Sequence, residues 1–344
     1  MTLQLEISTE GHLGVIALNR PEAINALSAD MIAGIVEALT EWRDDAGIRL
    51  VLFEGRGPRG FCAGGDVRAA RQAVLEGRTA EADAYFAAEY AMNLIIATYP
   101  KPIAAIAHGA VMGGGLGIFG HCRYRFGITG ARFAMPEAAI GFVSDVGINA
   151  LLKQVPEARA LAFLMSGTPV GLGDALVLGL CDAAIDARRR DAVRAGIAAA
   201  ANGDVETALV QLMQLEGVEP DVASLCQTAD MLAALFAGAG VGEILDGVGA
   251  QPQQPETATL LAALQAGSPS SLEAILASHR AARRLPDIAD VLALDGRLAS
   301  LMIRQPDFVE GVRSVLVDKD RRPVWNPADP AAVDRAPLAV ALGG

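Results

Sequence analysis

The sequence predicts an α/β protein with crossover connections, and two observations carry that reading. Short apolar or alternating runs of strand length (LQLEIS, HLGVIALNR, IRLVLFEG, KPIAAIAHG) alternate with stretches whose apolar residues recur at helical spacing. The hydrophobic residues, 52% of the chain, are chiefly Ala, Leu, Val and Ile, with only 5% aromatics. That composition fills helices and buried strands and is not that of a disordered chain. At 344 residues the chain exceeds what one core usually serves, so one large domain with an appendage, or two domains, is expected.

In chain order, LQLEIS and HLGVIALNR flank the turn TEG and form a hairpin. NRPEAINALS is a loop leading into a helix: Ser28 is a good cap, and ADMIAGIVEALTEWRDD continues at helical spacing. IRLVLFEG is a buried strand, RGPRGFCAGGDVRAARQAVLEG a glycine-rich loop entering a helix, and EADAYFAAEYAMNLIIATY a further helix. KPIAAIAHG is a strand, AVMGGGLGIFGHC turns into a helix, and RYRFGITGARFAMPEA gives short strands. From about Leu161 to about Arg313 the chain reads almost wholly as helix, with GAQPQQPETA, Gly249 to Ala258, as a polar linker. No repeat of fixed period is present.

A net charge of −12 argues against a duplex nucleic-acid partner, which needs a basic face; an anionic small ligand would need a local cluster of Arg or Lys. Cys62, Cys122, Cys181 and Cys226 form no C-x-x-C, and no disulfide framework is expected, which fits a reducing interior. His108 and His121 lack partners at metal-ligand spacing, so no metal is expected. The N-terminal MTLQLEISTEGHLGVIALNR has no basic segment followed by a long apolar one and is too acidic for a transit peptide, so the expected location is the cytoplasm. Pro102 to Gly120 is 19 residues without Asp, Glu, Lys or Arg, with small residues spaced at Gly109, Gly113 and Gly117. Its proline, His108 and six glycines suit a strand, a tight turn and a buried helix better than a membrane span.

Two glycine loops share one grammar. CAGGD (Cys62 to Asp66) and MGGGLG (Met112 to Gly117) each follow a strand, carry consecutive glycines and open a helix. Glycine admits positive φ and close backbone approach, and a helix start offers free N–H groups. Together the loops could aim two N–H groups at one oxygen, as an oxyanion hole requires; close packing of a helix on a sheet is the other reading of each. Gly115, Gly117 and Gly120 also satisfy the G-x-G-x-x-G of dinucleotide folds, with Glu137 seventeen residues further on. Against that reading, Gly127 and Gly130 break the helix within two turns, Gly-punctuated half-strands follow, and the motif starts late in the chain.

AMPEAAIGFVSDVG, Ala134 to Gly147, is mostly small and apolar yet carries Glu137 and Asp145. A carboxylate taken out of water is costly unless paired or protonated, so these acids either point into solvent or form a catalytic pair.

LNRPEAINALS, GFCAGGDVRAA, KPIAAIAHGAVMGGGLG and ARFAMPEAAIGF together resemble the successive signatures of the crotonase (enoyl-CoA hydratase/isomerase) superfamily. GFCAGGD, AMPEAAIGFVSDVG, GSPSSLEAIL and QPDFVEGVRSVLVDKDRRPVWNP resemble its 3-hydroxyisobutyryl-CoA hydrolase branch. The resemblance covers nearly the whole chain and is weakest from about Asp191 to Gln265. It implies an α/β crotonase (ClpP/crotonase-like) fold of stacked ββα spiral units with a helical C-terminal part: a spiral core over 1–190 and a mainly helical region over 191–344. It further implies backbone N–H groups of Gly65 and Gly114 holding the thioester oxygen and catalytic acids at Glu137 and Asp145. Glu89, Gly64, Asp66, Arg68 and Ala23 fall at substrate-binding positions. Gly117 stands where true hydratases carry their first catalytic glutamate, so two-glutamate hydration is disfavoured. The implied activity is hydrolysis of a short β-hydroxyacyl-CoA thioester, 3-hydroxyisobutyryl-CoA of valine breakdown above all. The alternative is hydration or isomerisation of another acyl-CoA. No cofactor is implied beyond the coenzyme A of the substrate, and self-assembly would be as a trimer or hexamer. Ser144 and Ile148 depart from the proline and glycine of the branch, in a loop that sets the acyl pocket. For Glu137, covalent attack on the thioester is preferred over activation of water.

Overall fold

The computed structural model describes residues 4–238, 240–252 and 254–343. Its strands are β1 (Leu5–Glu10), β2 (Leu13–Leu18), β3 (Leu50–Gly55), β4 (Gly60–Cys62), β5 (Ile103–Ala107), β6 (Ala110–Met112), β7 (Tyr124–Ile128), β8 (Arg132–Ala134) and β9 (Ala183–Ile185). They form a six-stranded sheet in the order β1-β2-β3-β5-β7-β9 and a three-stranded sheet in the order β4-β6-β8. β1 pairs antiparallel with β2, whereas the β2–β3, β3–β5, β5–β7 and β7–β9 pairs are parallel. The first four helices are α1 (Ala29–Arg43), α2 (Val67–Leu75), α3 (Thr79–Ala97) and α4 (Gly114–His121).

The chain divides into two compact units, each gathered from three segments. The first takes Met1–Gly65, Ala91–Phe133 and Val170–Ala223. Every residue of β2 and β3 is buried, as expected for parallel strands covered on both faces. Alternate residues (Leu13 and Val15, Leu50 and Leu52, Ala104 and Ile106, Phe126 and Ile128) line one face and cluster with Val193, Ile197 and Leu209 of the helices Arg190–Ala200 and Val205–Glu216. Ser28 caps α1 as expected, its Oγ accepting from the Met31 N–H at 3.3 Å. The second unit takes Asp66–Tyr90, Ala134–Pro169 and Ser224–Gly344 and is almost wholly helical. Its aromatic core stacks Phe86 on Phe142, ring centroids 4.8 Å apart, with Phe308 5.6 Å from Phe142.

The expected cut at 190/191 separates strand-rich from helix-rich sequence, whereas the compact units interleave. Contacts follow packing, and each unit is assembled from three separate segments of the chain.

Several local expectations need correction. The hairpin turn is Gly11–His12 rather than TEG, because Glu10 still pairs with Leu13 and Gly11 takes φ +60°. Within the stretch read almost wholly as helix lies a strand, β9; its three residues, Ala-Ala-Ile, suit either structure, and only the neighbouring β7 makes them a strand. The linker over 249–258 is shorter than expected, since a helix starts at Pro255, where proline's fixed φ and missing N–H are tolerated; Gln253 lies outside the described residues. The helix is short, as expected, but Gly127 does not end it: α4 stops at His121, and Gly127 sits inside β7, which pairs parallel with β5. Dinucleotide binding is disfavoured on different grounds, because Gly115, Gly117 and Gly120 all lie within α4 rather than in a turn before it. Pro102 to Gly120 is β5, β6 and most of α4, and no helix among the described residues is long and apolar enough to cross a membrane.

Candidate active site

In the first unit the structure brings the two glycine loops together. Gly64 takes φ +113°, a conformation open to glycine, and a Cβ built on it would lie 3.3 Å from the Met112 carbonyl oxygen and 3.6 Å from the Gly114 nitrogen. A Cβ on Gly115 would strike the Cys62 carbonyl oxygen at 2.4 Å, so the start of α4 lies directly against the end of β4. Gly113, with φ +49°, ends the approach to α4 and makes Gly114 the first helical residue, whose N–H has no intrahelical acceptor. Gly65 sits beside Leu27 in an isolated parallel bridge, with the Leu27 N–H donated to the Gly64 carbonyl at 2.8 Å. Gly117 is buried within α4.

Asn25 holds this arrangement, and sequence reasoning passed over it. Ile24 and Asn25 both take left-handed backbone, φ 51° and 56°. The fully buried Asn25 amide Nδ2 is shared among the carbonyls of Arg56, Gly60 and Phe61 at 2.9–3.1 Å, and its Oδ1 accepts from the Arg20 N–H. The only signal in the sequence was that asparagine tolerates left-handed backbone. The Cys62 Sγ lies 3.0 Å from the Asn25 carbonyl oxygen, which it donates to, so the thiol belongs to the loop's scaffolding. Ala23 ends the short 3₁₀ helix Pro21–Ala23 and is half-buried.

The second unit brings the acids together. Glu89 lies on α3, Glu137 in the 3₁₀ turn Pro136–Ile140, and Asp145 in the loop before the helix Ile148–Leu152; all three are buried. Pro136 starts the turn and Gly141, φ +68°, ends it. A Cβ on Gly141 would overlap the Asp307 carbonyl, so only glycine lets this segment lie so close. Among the described residues no Lys or Arg forms an ion pair with any of the three acids. Burial first, and the charge of Asp145 second, hold both Glu89 and Glu137 well above the usual carboxylate range. Burial also pushes Asp145 up, to about 7, against the opposing effects of the Tyr90 hydroxyl and its own backbone N–H. Oε1 of Glu89 and Oε2 of Glu137 are buried without a hydrogen-bond partner.

Two members of this group were not anticipated. The Tyr90 hydroxyl donates to Asp145 Oδ2 at 2.6 Å, and Asp295 accepts the Gly147 N–H at 2.8 Å, both wholly within the buried region. Tyr90 adjoins Glu89 in sequence, which was its one signal; Asp295 lies 150 residues past Asp145, and nothing local marked it. Of the remaining predicted residues, Asp66 caps α2, accepting from the Ala69 N–H at 3.4 Å while its own N–H reaches the Tyr85 hydroxyl, and Arg68 is exposed on the first turn of α2. Neither is among the buried acids.

A largely parallel sheet beside a three-stranded one, glycine loops meeting at the start of a buried helix, and a group of buried acids define the class: an α/β protein of the crotonase fold. The chain belongs to the enoyl-CoA hydratase/isomerase family, whose pattern matches residues 13–341. It is 32% identical to 3-hydroxyisobutyryl-CoA hydrolase 1 of Arabidopsis thaliana, over 94% of this chain and 87% of that protein. It is 31% identical to the mitochondrial 3-hydroxyisobutyryl-CoA hydrolase of Danio rerio, over 94% and 85%. Among solved structures it resembles a carnitinyl-CoA dehydratase from Mycobacterium thermoresistibile, with TM-score 0.91 and 32% identity over 99% of this chain and 96% of the other. It also resembles an enoyl-CoA hydratase from Rhodobacter sphaeroides, with TM-score 0.90 and 33% identity over 98% and 97%.

Proposed function

We propose that the chain hydrolyses a short β-hydroxyacyl-CoA thioester, 3-hydroxyisobutyryl-CoA of valine breakdown or a close relative, with no cofactor beyond the coenzyme A of the substrate. The observation that carries this reading is the buried carboxyl group of Glu89, Glu137 and Asp145, without a cation among them, in a chain that resembles hydrolases along most of its length. Burial and mutual repulsion keep a proton within such a group near neutral pH. Asp145, with the Tyr90 hydroxyl on one oxygen, is the member that ionises more readily, and Glu137 the member that keeps the proton.

The reading gives the thioester oxygen to the N–H groups of Gly65 and Gly114. Glu137 passes its proton to Asp145 and attacks the carbonyl carbon; the carbon–sulfur bond breaks, and Asp145 protonates the departing thiolate. Water then attacks the mixed anhydride, Asp145 takes its proton, the acyl–oxygen bond to Glu137 breaks, and the acid product leaves. Transfer of the proton from Asp145 back to Glu137 restores the starting state. Gly117 offers no side chain for the addition of water across a double bond.

A screen of thiol release across short acyl-CoA esters tests this reading, with release fastest from β-hydroxyacyl esters as the expected result. Hydroxylamine trapping of an acyl-enzyme tests the covalent step. The second reading, hydration or dehydration of another acyl-CoA, is favoured by the names of the two solved structures; loss of enoyl absorbance without thiol release would establish it. Assembly into trimers or hexamers, tested by light scattering, and a cytoplasmic location complete the proposal. Because the zebrafish relative is named mitochondrial, cell fractionation decides the location.

A further inference from the structure

We propose that Asp295 is a positioning residue for Asp145: its carboxyl clamps the turn that carries Asp145 by accepting the Gly147 N–H. The inference rests on the catalytic reading of Asp145 and extends it to a residue on a different element, the helix Ile288–Met302. Three observations carry it. Asp295 has no exposed surface, its Oδ2 takes the Gly147 N–H at 2.8 Å, and its Oδ1 is buried without a partner. The clamped turn is strained: Val146 takes φ 54° and Gly147 φ 73°, and left-handed backbone at a β-branched residue persists only where the surroundings impose it. Tyr90, which fixes the other side of Asp145, packs beside the same helix, since a Cβ on Gly296 would meet its ring at 4.0 Å.

Structural need alone does not account for an acid here. One backbone hydrogen bond is a poor exchange for burying a carboxyl, and an apolar side chain would fill the helix face at lower cost. Other charged groups nearby are engaged elsewhere. Arg297 reaches the Ala341 carbonyl, Arg304 pairs with Asp83, and on the helix Pro269–Ala282 Glu273 pairs with Arg335 and Arg280 with Glu157. The groups felt by Asp295 are therefore Asp145 and Tyr90. Burial first, and the Asp145 charge second, hold its carboxyl well above the usual range, while its Oδ2 accepts the Gly147 N–H.

The test compares Asp295→Asn, which keeps an acceptor oxygen, with Asp295→Ala, which does not. On the best thioester, Asn is expected to stay within about threefold of the parent kcat, and Ala to lose at least about tenfold in kcat with KM changed less than about threefold. Amide NMR of the ligand-free chain should show Gly147 and Asp145 unmoved in Asn and shifted in Ala, with exchange protection at Gly147 lost. An Ala variant with parent kcat, an Asn variant as impaired as Ala, or a loss confined to KM would overturn the proposal. If the parent releases no thiol from any ester, the functional reading has failed instead; the NMR comparison then decides, and an unmoved Gly147 amide in Asp295→Ala refutes the clamp.

Discussion

The meeting glycine loops of the first unit, Cys62–Gly65 and Gly113–Gly114, and the Glu137–Gly147 segment of the second place their polar groups at very different energetic cost. A first-turn N–H is unpaired in any helix, so turning one toward a ligand requires only a backbone bend that glycine supplies. A buried carboxyl without a counter-charge opposes folding, and among the described residues of the second unit there are five: Glu89, Glu137, Asp145, Asp295 and Asp307. The first region is defined by shape and the second by charge, so substitutions in the two should fail in different ways.

The largest expected effect is at Glu137. Glu137→Gln keeps size and polarity but removes proton transfer and attack, and thiol release should fall at least about a hundredfold while the fold survives. Circular dichroism and single-turnover kinetics check both halves, and a variant keeping most of its activity would remove Glu137 from the chemistry.

Asp145→Asn should lower kcat at least about tenfold with little change in ligand binding. It should also stabilise the protein at high pH. The folded-state pKa of Asp145 is raised from 3.8 to about 7, so the aspartate's contribution is fully present below about pH 4 and lost as the pH rises through 7. Asparagine carries no such penalty. The variant should therefore match the parent near pH 4 and exceed it at pH 8, the gap opening between about pH 4 and 7. Denaturant titrations at the two pH values measure it, and equal gaps at both would mean that Asp145 is not buried as a charge.

On the other side of the comparison, Gly64→Ala should act through backbone strain and show no such pH dependence. Forcing alanine to φ +113° against the Met112 carbonyl should lower stability by about 1–3 kcal/mol, equally at pH 5 and pH 8. A pH-dependent loss would blur the distinction between the two regions.

Tyr90→Phe is the mildest change. The hydroxyl donates to Asp145 and favours its charged form, so its removal should raise the Asp145 pKa further. The acid limb of the kcat profile should move up by about one pH unit, the worth of a hydrogen bond to a charged group. A limb that stays in place would separate Tyr90 from the titration.

The two regions also differed in how far the sequence revealed them. Glycine is legible because a single residue type supplies positive φ, and the loops at Gly64 and Gly113 adopt it. Glu137 and Asp145 stood out as charges in an apolar run, and both are buried rather than turned into solvent. Tyr90 and Asp295 did not, because an acid or a tyrosine on a helix of ordinary amphipathic pattern looks like any other until tertiary packing buries it. Asn25 was hidden because its three carbonyl partners lie 31 to 36 residues away. β9 was missed because three small residues carry no periodicity, and the interleaved units because contact between distant segments leaves no local trace.

Cys62, with its thiol held against the Asn25 carbonyl, has a practical consequence that extends to Cys122, Cys181 and Cys226, which are also buried and unbridged. An aromatic disulfide reagent added to the native protein meets no accessible sulfhydryl, so the colour it develops during turnover counts liberated coenzyme A without background from the enzyme. In denaturant the same reagent gains four sites per chain, and the rate at which they appear becomes a clock for unfolding.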